Sequence, residues 1–496
     1  MSLIYRQSAK ATIVTMVGAV VGFLTTFFVL TQYLTPEEVG LTRLLVEVAM
    51  LLGGFALFAT QSSSVRYFPF FRTEDGKDRG FVWLVLLIPL IGFVVFSLLY
   101  YLLRTPLVSY FTSDKKAGGE LFREYYLLVL PLMVFTMYMT VSEVYCTLKQ
   151  RVVVPRMVRE LILRILLCVA YMLYGIGLLP SFNFFLTAFV GCYGVCMLLD
   201  LGYMVFLSPR AFTSSISLPD HSVRRDFINY TGLTLLSALG SNIVTRLDLF
   251  MVSAQMGLDY AGIYSIAFFI VAVIEMPSRS LTAISSPMVS SALHNSDTER
   301  VRQLYQTVSQ QQLLVGLIIF TLIWTNIDFI FGIMPNSDIY IQGKWVVFIL
   351  GIGRLIDLSF SFGNAVLRYS RYYVWSLVYT LFVAFLTVGF NLVLIERIGM
   401  EGAAIATLLT FVISYTFQQV ILWSKLRLSP ITAEHGRLFL TLGVVVLICT
   451  LIGVADTPIS IVLKNALVLA SMYVLIRRTE SFKLLLTETK SFIQKL

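Results

Sequence analysis

Apolar residues are gathered into about fourteen stretches, each about 18 to 26 residues long, that are separated mostly by short polar loops and together fill nearly the whole chain. The first covers residues 11–33 and the last about 459–475. A bilayer core is about 30 Å thick and takes roughly 20 helical residues to cross, and lipid offers backbone N–H and C=O groups no partner outside the helix. The pattern therefore predicts an all-α integral membrane protein of about 14 transmembrane helices. So little of the 496-residue chain is left outside the lipid that its activity is expected in or across the bilayer.

The loops repeat. Those expected outside centre near Pro36, Thr112 and Pro180 in the first half and near Leu258, Pro335 and Gly399 in the second, three separations of about 220 residues each. Six spans per repeat is an even number, so both halves enter the membrane in the same sense. Their pseudo-two-fold axis is expected along the membrane normal, with a substrate path between two six-helix lobes. At the first hairpin of each half, Thr35-Pro36-Glu37-Glu38-Val39-Gly40 aligns with Gly257-Leu258-Asp259-Tyr260-Ala261-Gly262. The expected organisation is an N-lobe at 1–207, a polar cytoplasmic linker at 208–227 and a C-lobe at 228–424. Two further spans follow at 425–476, and an amphipathic tail on the inner leaflet at 477–496.

Composition agrees with this reading: 57% hydrophobic residues, 13% charged and a mean hydropathy of +0.83. The formal net charge of +9 would point to nucleic acid on a soluble chain, so its placement decides its meaning. With the N-terminus inside, about 27 Lys and Arg fall in inside segments, about 6 in outside loops and about 4 within spans. That is the positive-inside bias and not a nucleic-acid footprint; it places both termini in the cytoplasm. Residues 1–10 carry Arg6 and Lys10 ahead of an apolar run too long for a cleavable signal, so the first span is expected to be retained. Cys146, Cys168, Cys192, Cys196 and Cys449 all fall within spans without metal spacing and read as packing residues.

Three short patterns carry a family resemblance. Leu34-Thr35-Pro36-Glu37-Glu38-Val39-Gly40, Arg246-Leu247-Asp248 with Ala261-Gly262-Ile263-Tyr264, and Gly399-Met400-Glu401-Gly402-Ala403-Ala404-Ile405-Ala406-Thr407 are similar to the polysaccharide-transporter branch of the multidrug/oligosaccharidyl-lipid/polysaccharide (MOP) superfamily, which includes Wzx-type flippases. The resemblance implies a MATE-like fold that moves a polyprenyl-diphosphate-linked oligosaccharide, a repeat unit of O-antigen, capsule or exopolysaccharide, from the inner to the outer leaflet by alternating access. It implies a bacterial inner membrane, membrane lipids and the lipid-linked oligosaccharide as partners, and polymerase or glycosyltransferases of the same pathway as neighbours. Nothing in the sequence requires an oligomer. The alternative within the superfamily is a cation-coupled multidrug exporter, whose cavity is expected to be dominated by carboxylates. No nucleotide loop, metal motif or nucleophile constellation is present, which argues against an enzyme or a bound cofactor.

An ionisable group at the bilayer centre costs between about 2.5 and over 10 kcal/mol, so each one needs a reason. Arg43 and Glu47, Glu275 and Arg279, and Arg354 and Asp357 are three or four residues apart, the spacing of pairs that can neutralise themselves on one helix face. Arg246 and Asp248 point to different sides of their helix. Arginine's forked donors suit a diphosphate, so Arg246, Arg354 and Arg43 are the substrate-binding candidates. A shift of about 222 residues lays Arg246 on Leu24 and Arg354 on Leu132, so neither belongs to the shared repeat pattern. For coupling to Na+ or H+, or for gating, the candidates are Asp248, Asp357, Glu275, Glu47 and Glu143, with Asn242 and Asn364 as neutral oxygen ligands. Glu143 stands alone in its span, and Asp200, near the inner end of another, is expected to reach water. His221, His294 and His435 map to cytoplasmic loops. Pro89, Pro131 and Pro277 mark expected bends.

Overall fold

In a computed structural model, residues 3–73, 78–111, 119–214, 221–452, 458–477 and 482 are described. The tail expected at 477–496 lies almost entirely outside them. Every extended element among the described residues is helical. Ten of the helices are long and apolar enough to cross a membrane. Four further expected spans correspond to Leu163–Gly175, His221–Met256, Ala433–Ile452 and Pro458–Ile476. The chain is an all-α, multi-pass membrane protein.

The chain divides into two compact units. Unit 1 comprises residues 1–265 with 334–336, and unit 2 the remainder. In unit 1, α1 (Leu3–Leu24) continues through a π-helical stretch, Thr25–Leu30. It is followed by α2 (Pro36–Ala56), α3 (Thr60–Phe71), α4 (Phe81–Leu102), α5 (Val129–Leu148), α6 (Leu163–Gly175), α7 (Phe182–Leu207) and α8 (His221–Met256). A second π-helical stretch, Val158–Ile162, leads into α6. α9 (Leu258–His294) begins in unit 1 and passes into unit 2. Unit 1 thus runs past the linker expected at 208–227, because α8 packs along α2 and α3.

Local chemistry explains how α2 begins and ends. Thr35 closes a capping box with Glu38: its side chain accepts from the Glu38 N–H, the Glu38 carboxylate accepts from the Thr35 N–H at 2.8 Å, and Pro36 supplies the first helical turn. The second span breaks where no proline stands. Phe58 and Ala59 both adopt left-handed backbone, with φ of 44° and 56°, and α3 restarts at Thr60. Pro89 and Pro277, in contrast, lie inside continuous helices.

The two aligned hairpin motifs meet within unit 1. Gly40 at the start of α2 and Gly262 at the start of α9 face each other so closely that a methyl group on Gly40 would overlap the carbonyl of Leu258, and one on Gly262 would overlap that of Pro36. The contact is reciprocal, as expected where two copies of one motif touch across a local two-fold.

In unit 2, α10 (Thr298–Thr325), α11 (Lys344–Phe360), α12 (Phe362–Tyr369), α13 (Val374–Ile398) and α14 (Met400–Leu426) follow α9; α15 (Ala433–Ile452) and α16 (Pro458–Ile476) complete it. Val301, Tyr305, Val366, Leu367 and Leu422 form part of a buried cluster joining α10, α12 and α14.

Candidate functional site

Two of the three candidate arginines lie in unit 1 and have different partners. Glu47 lies four residues from Arg43 on α2, yet its carboxylate accepts from Nη1 of Arg246 on α8. The same Nη1 lies 3.2 Å from the sulfur of Met50, while the Nε of Arg246 is buried without a hydrogen-bond partner. Arg246 and Glu47 are 24% and 30% exposed, so the pair is open to one side. Arg43 instead donates from Nη2 to the Thr26 hydroxyl, at 3.4 Å, in the π-helical stretch of the first span. The buried phenols of Tyr171 on α6 and Tyr193 on α7 lie within its electrostatic reach. Among the described residues no carboxylate is within ion-pair distance of Arg43.

In unit 2 the third arginine is fully neutralised. Nη1 of Arg354 on α11 lies 3.3 Å from Glu275 on α9 and 3.3 Å from Asp357 one turn along its own helix. Its guanidinium carbon sits 5.8 Å from the ring centres of both Phe268 and Phe411, inside the range of a cation–π contact. Asp357 also accepts from the hydroxyl of Tyr415 on α14, and Glu275 accepts from Nε of Arg279 at 3.3 Å. Two arginines and two carboxylates balance. Both helix-local pairs expected in this lobe therefore form, joined through Arg354 into one network.

Several expected ion ligands are occupied. Oδ1 of Asn364 accepts from the Ser376 hydroxyl at 2.7 Å, and Asp248 accepts from the Tyr264 hydroxyl at 3.5 Å. The side chain of Asn242 lies outside those described. Glu143, alone in its own span, has ion-pair partners on the adjoining one: its carboxylate lies 2.7 Å from Nη1 of Arg159 and 3.7 Å from Nε of Arg156. Asp200, expected to reach water, is 1% exposed, because α5 and the Val158–Ile162 stretch cover it. His435 is likewise buried at the start of α15, where its Nδ1 lies 3.2 Å from the Thr432 hydroxyl.

Sequence reasoning passed over Arg159, Glu160 and Arg164. Arg164 lies 2.7 Å from Glu160 and donates to the carbonyl of Gly18 on α1. Arg159 closes a basic segment with Lys149, Arg151 and Arg156 that reads as a cytoplasmic cluster; the signal that separates it is Glu160 beside it. Tyr415 and the Tyr171–Tyr193 pair carried no signal, since aromatic residues are spread along all the spans. No group of His, Cys, Asp and Glu with the geometry of a metal site occurs among the described residues.

This is the fold of the MOP-superfamily transporters. The lipid II flippase MurJ in an inward closed conformation matches with a TM-score of 0.70 over 94% of this chain and 97% of that one, at 13% identity. An inward-facing multidrug resistance MATE family transporter of the MOP superfamily matches at 0.62 over 84% of this chain and 99% of that one, at 15% identity. A MOP superfamily transporter from Pyrococcus furiosus matches at 0.55 over 86% of this chain and 96% of that one, at 13% identity. In sequence, the chain is similar to the probable low-salt glycan biosynthesis flippase Agl15 of Haloferax volcanii, 21% identical over 208 residues. That match takes in 41% of this chain and 43% of the relative, less than half of either. No family model matches the sequence.

Proposed function

We propose that the chain is a flippase for a polyprenyl-diphosphate-linked oligosaccharide, carrying a glycan repeat unit from the inner to the outer leaflet of a bacterial cytoplasmic membrane by alternating access. The membrane potential, an ion gradient or both supply the drive. The observation that carries the reading is Arg43, a guanidinium in an apolar span whose hydrogen-bond partner among the described residues, the Thr26 hydroxyl, is neutral. A cation held in lipid without a carboxylate is costly, and an anionic headgroup that arrives and leaves is the partner that offsets this cost. Arg246, with a buried Nε left over after pairing with Glu47, supplies a second donor from the same unit. Arg354 keeps a lesser place as a substrate residue, because Glu275 and Asp357 already balance it. The fold shared with a lipid II flippase and the partial sequence match to a glycan flippase support the same substrate class.

The test is complementation of a flippase-deficient strain together with flipping of a fluorescent polyprenyl-diphosphate glycan in vesicles. Arg43→Ala is expected to abolish flipping while the protein remains folded and inserted. Arg43→Lys is expected to recover little, since an ammonium lacks the fork that spans two phosphate oxygens. Wild-type vesicles that expel cationic dyes and leave the glycan lipid in place would establish the multidrug exporter instead.

A further inference from the structure

We propose that Arg164 is a second diphosphate-binding residue of unit 1, acting beside Arg43, and that Glu160 stands in for the ligand on Arg164 while the carrier is empty. This assignment deepens the flippase reading and takes from it the chemical class of the ligand.

Helix runs without interruption from Val153 through the π-helical stretch Val158–Ile162 to Gly175, so Arg164 stands at the midpoint of its span, the depth at which a charge is most costly. The first span is thinned to receive it. Nη1 of Arg164 donates to the Gly18 carbonyl, and a methyl group on Gly22, one turn further along α1, would overlap the same guanidinium. Gly18 itself lies so close to the backbone of Glu160 that a methyl group there would overlap the Glu160 carbonyl. One more turn along the same face stands Thr26, to which Nη2 of Arg43 donates at 3.4 Å. The two guanidiniums therefore lie against one line of the first span, Gly18, Gly22 and Thr26, about one helical turn apart, or about 5.4 Å along it. Neither is sealed: Arg164 and Glu160 are each 27% exposed, and Arg43 is half-buried.

Two forked donors one turn apart offer one guanidinium to each phosphate of a diphosphate, whereas a monophosphate engages only one of them. In the empty protein the two cations are not equivalent. Arg43 has the Thr26 hydroxyl, while Arg164 lies 2.7 Å from Glu160, one turn back on its own helix. A self-neutralised pair sealed in the core would serve folding alone; this one is open on one side and lies beside a cation that no described carboxylate balances. A diphosphate held by Arg43 reaches Arg164 next, and repulsion between its oxygens and Glu160 turns that carboxylate out toward its exposed side. Glu160 belongs to the π-helical stretch, a kind of turn found frequently at functional sites. No covalent bond is made or broken: one anion replaces another on Arg164. When the headgroup leaves, Glu160 takes the guanidinium back, which eases release.

The experiment measures binding of farnesyl diphosphate, farnesyl monophosphate and inorganic diphosphate to the full-length protein in neutral-lipid nanodiscs, and follows flipping of a polyprenyl-diphosphate glycan in vesicles. The wild type is expected to prefer farnesyl diphosphate to the monophosphate by about tenfold or more, the worth of one further charge-assisted hydrogen bond. Arg164→Gln should erase that preference and leave monophosphate binding nearly unchanged, and Arg164→Lys should restore only part of it. Glu160→Gln should bind farnesyl diphosphate more tightly and flip more slowly, which the loss of a merely structural partner does not bring about. The double variant Glu160→Gln with Arg164→Gln strands no charge, so it should fold even where Arg164→Gln alone does not, and it should show the same loss of preference. No preference in the wild type, or one kept in full by the double variant, overturns the site. Diphosphate binding unchanged or weakened in Glu160→Gln overturns the exchange. Equal flipping of glycan lipid by the wild type and the double variant would leave the flippase reading standing and remove Arg164 from it. Inorganic diphosphate bound as tightly as farnesyl diphosphate, in a protein that flips no glycan lipid, would keep the site and remove the flippase reading.

Discussion

Charge in lipid is tolerated according to what each side chain touches, and the three arginines differ on that point alone. Removing one partner of a buried ion pair strands the other and costs about 3–5 kcal/mol; partial exposure reduces this. Glu47→Gln is therefore expected to lower the unfolding free energy by about 1–3 kcal/mol, read as a fall in the thermal midpoint in detergent. The charge-reversed double variant Glu47→Arg with Arg246→Glu should recover most of the loss, and recovery no better than additive would show that the two side chains are not coupled. In unit 2, Asp357→Asn removes one of two carboxylates from Arg354 and half of the Tyr415 contact. If that network resets the empty carrier, the variant should slow turnover more than it weakens headgroup binding. Single-turnover flipping compared with equilibrium binding separates the two.

At the scale of single helices, the break between α2 and α3 makes the clearest forecast. A left-handed residue with a side chain carries about 1–2 kcal/mol of steric strain that glycine does not. Ala59→Gly should therefore raise the thermal midpoint and Ala59→Val should lower it, provided the break is a fixed part of the fold. Equal midpoints would mean that the left-handed turn is not kept in the membrane. This element also marks where sequence reasoning stops. Span existence was legible because about 20 apolar residues leave a chain few alternatives. Thr35, Pro36 and Glu38 carry the signal of a capping box, although the sequence reading drew from them only the hairpin pattern. The break at Phe58 and Ala59 was not legible, because neither residue is a breaker by type. The same limit governed the site. Spacing placed Arg354 with Asp357 and Glu275 with Arg279, since those partners sit on one helix, but it could not show Arg246 reaching across to Glu47 from nearly 200 positions away.

For the molecule as a whole, the lack of a recognisable nucleotide motif turns attention to the membrane potential. A diphosphate with about two negative charges that leaves an inside-negative cytoplasm gains about 4.6 kcal/mol per 100 mV, from about 2.3 kcal/mol per charge. Flipping in vesicles should therefore accelerate under an inside-negative potassium-diffusion potential, and equal rates at zero potential would refute an electrogenic step. The meeting of Gly40 with Gly262 bears on how such a machine moves. Most helix contacts interlock, side chain into groove, and parting them means lifting each knob from its hole. Where two backbones lie bare against each other there are no teeth. Such a seam behaves as a bearing surface: it fixes how near the two helix starts can come, and it offers little resistance when they roll or separate.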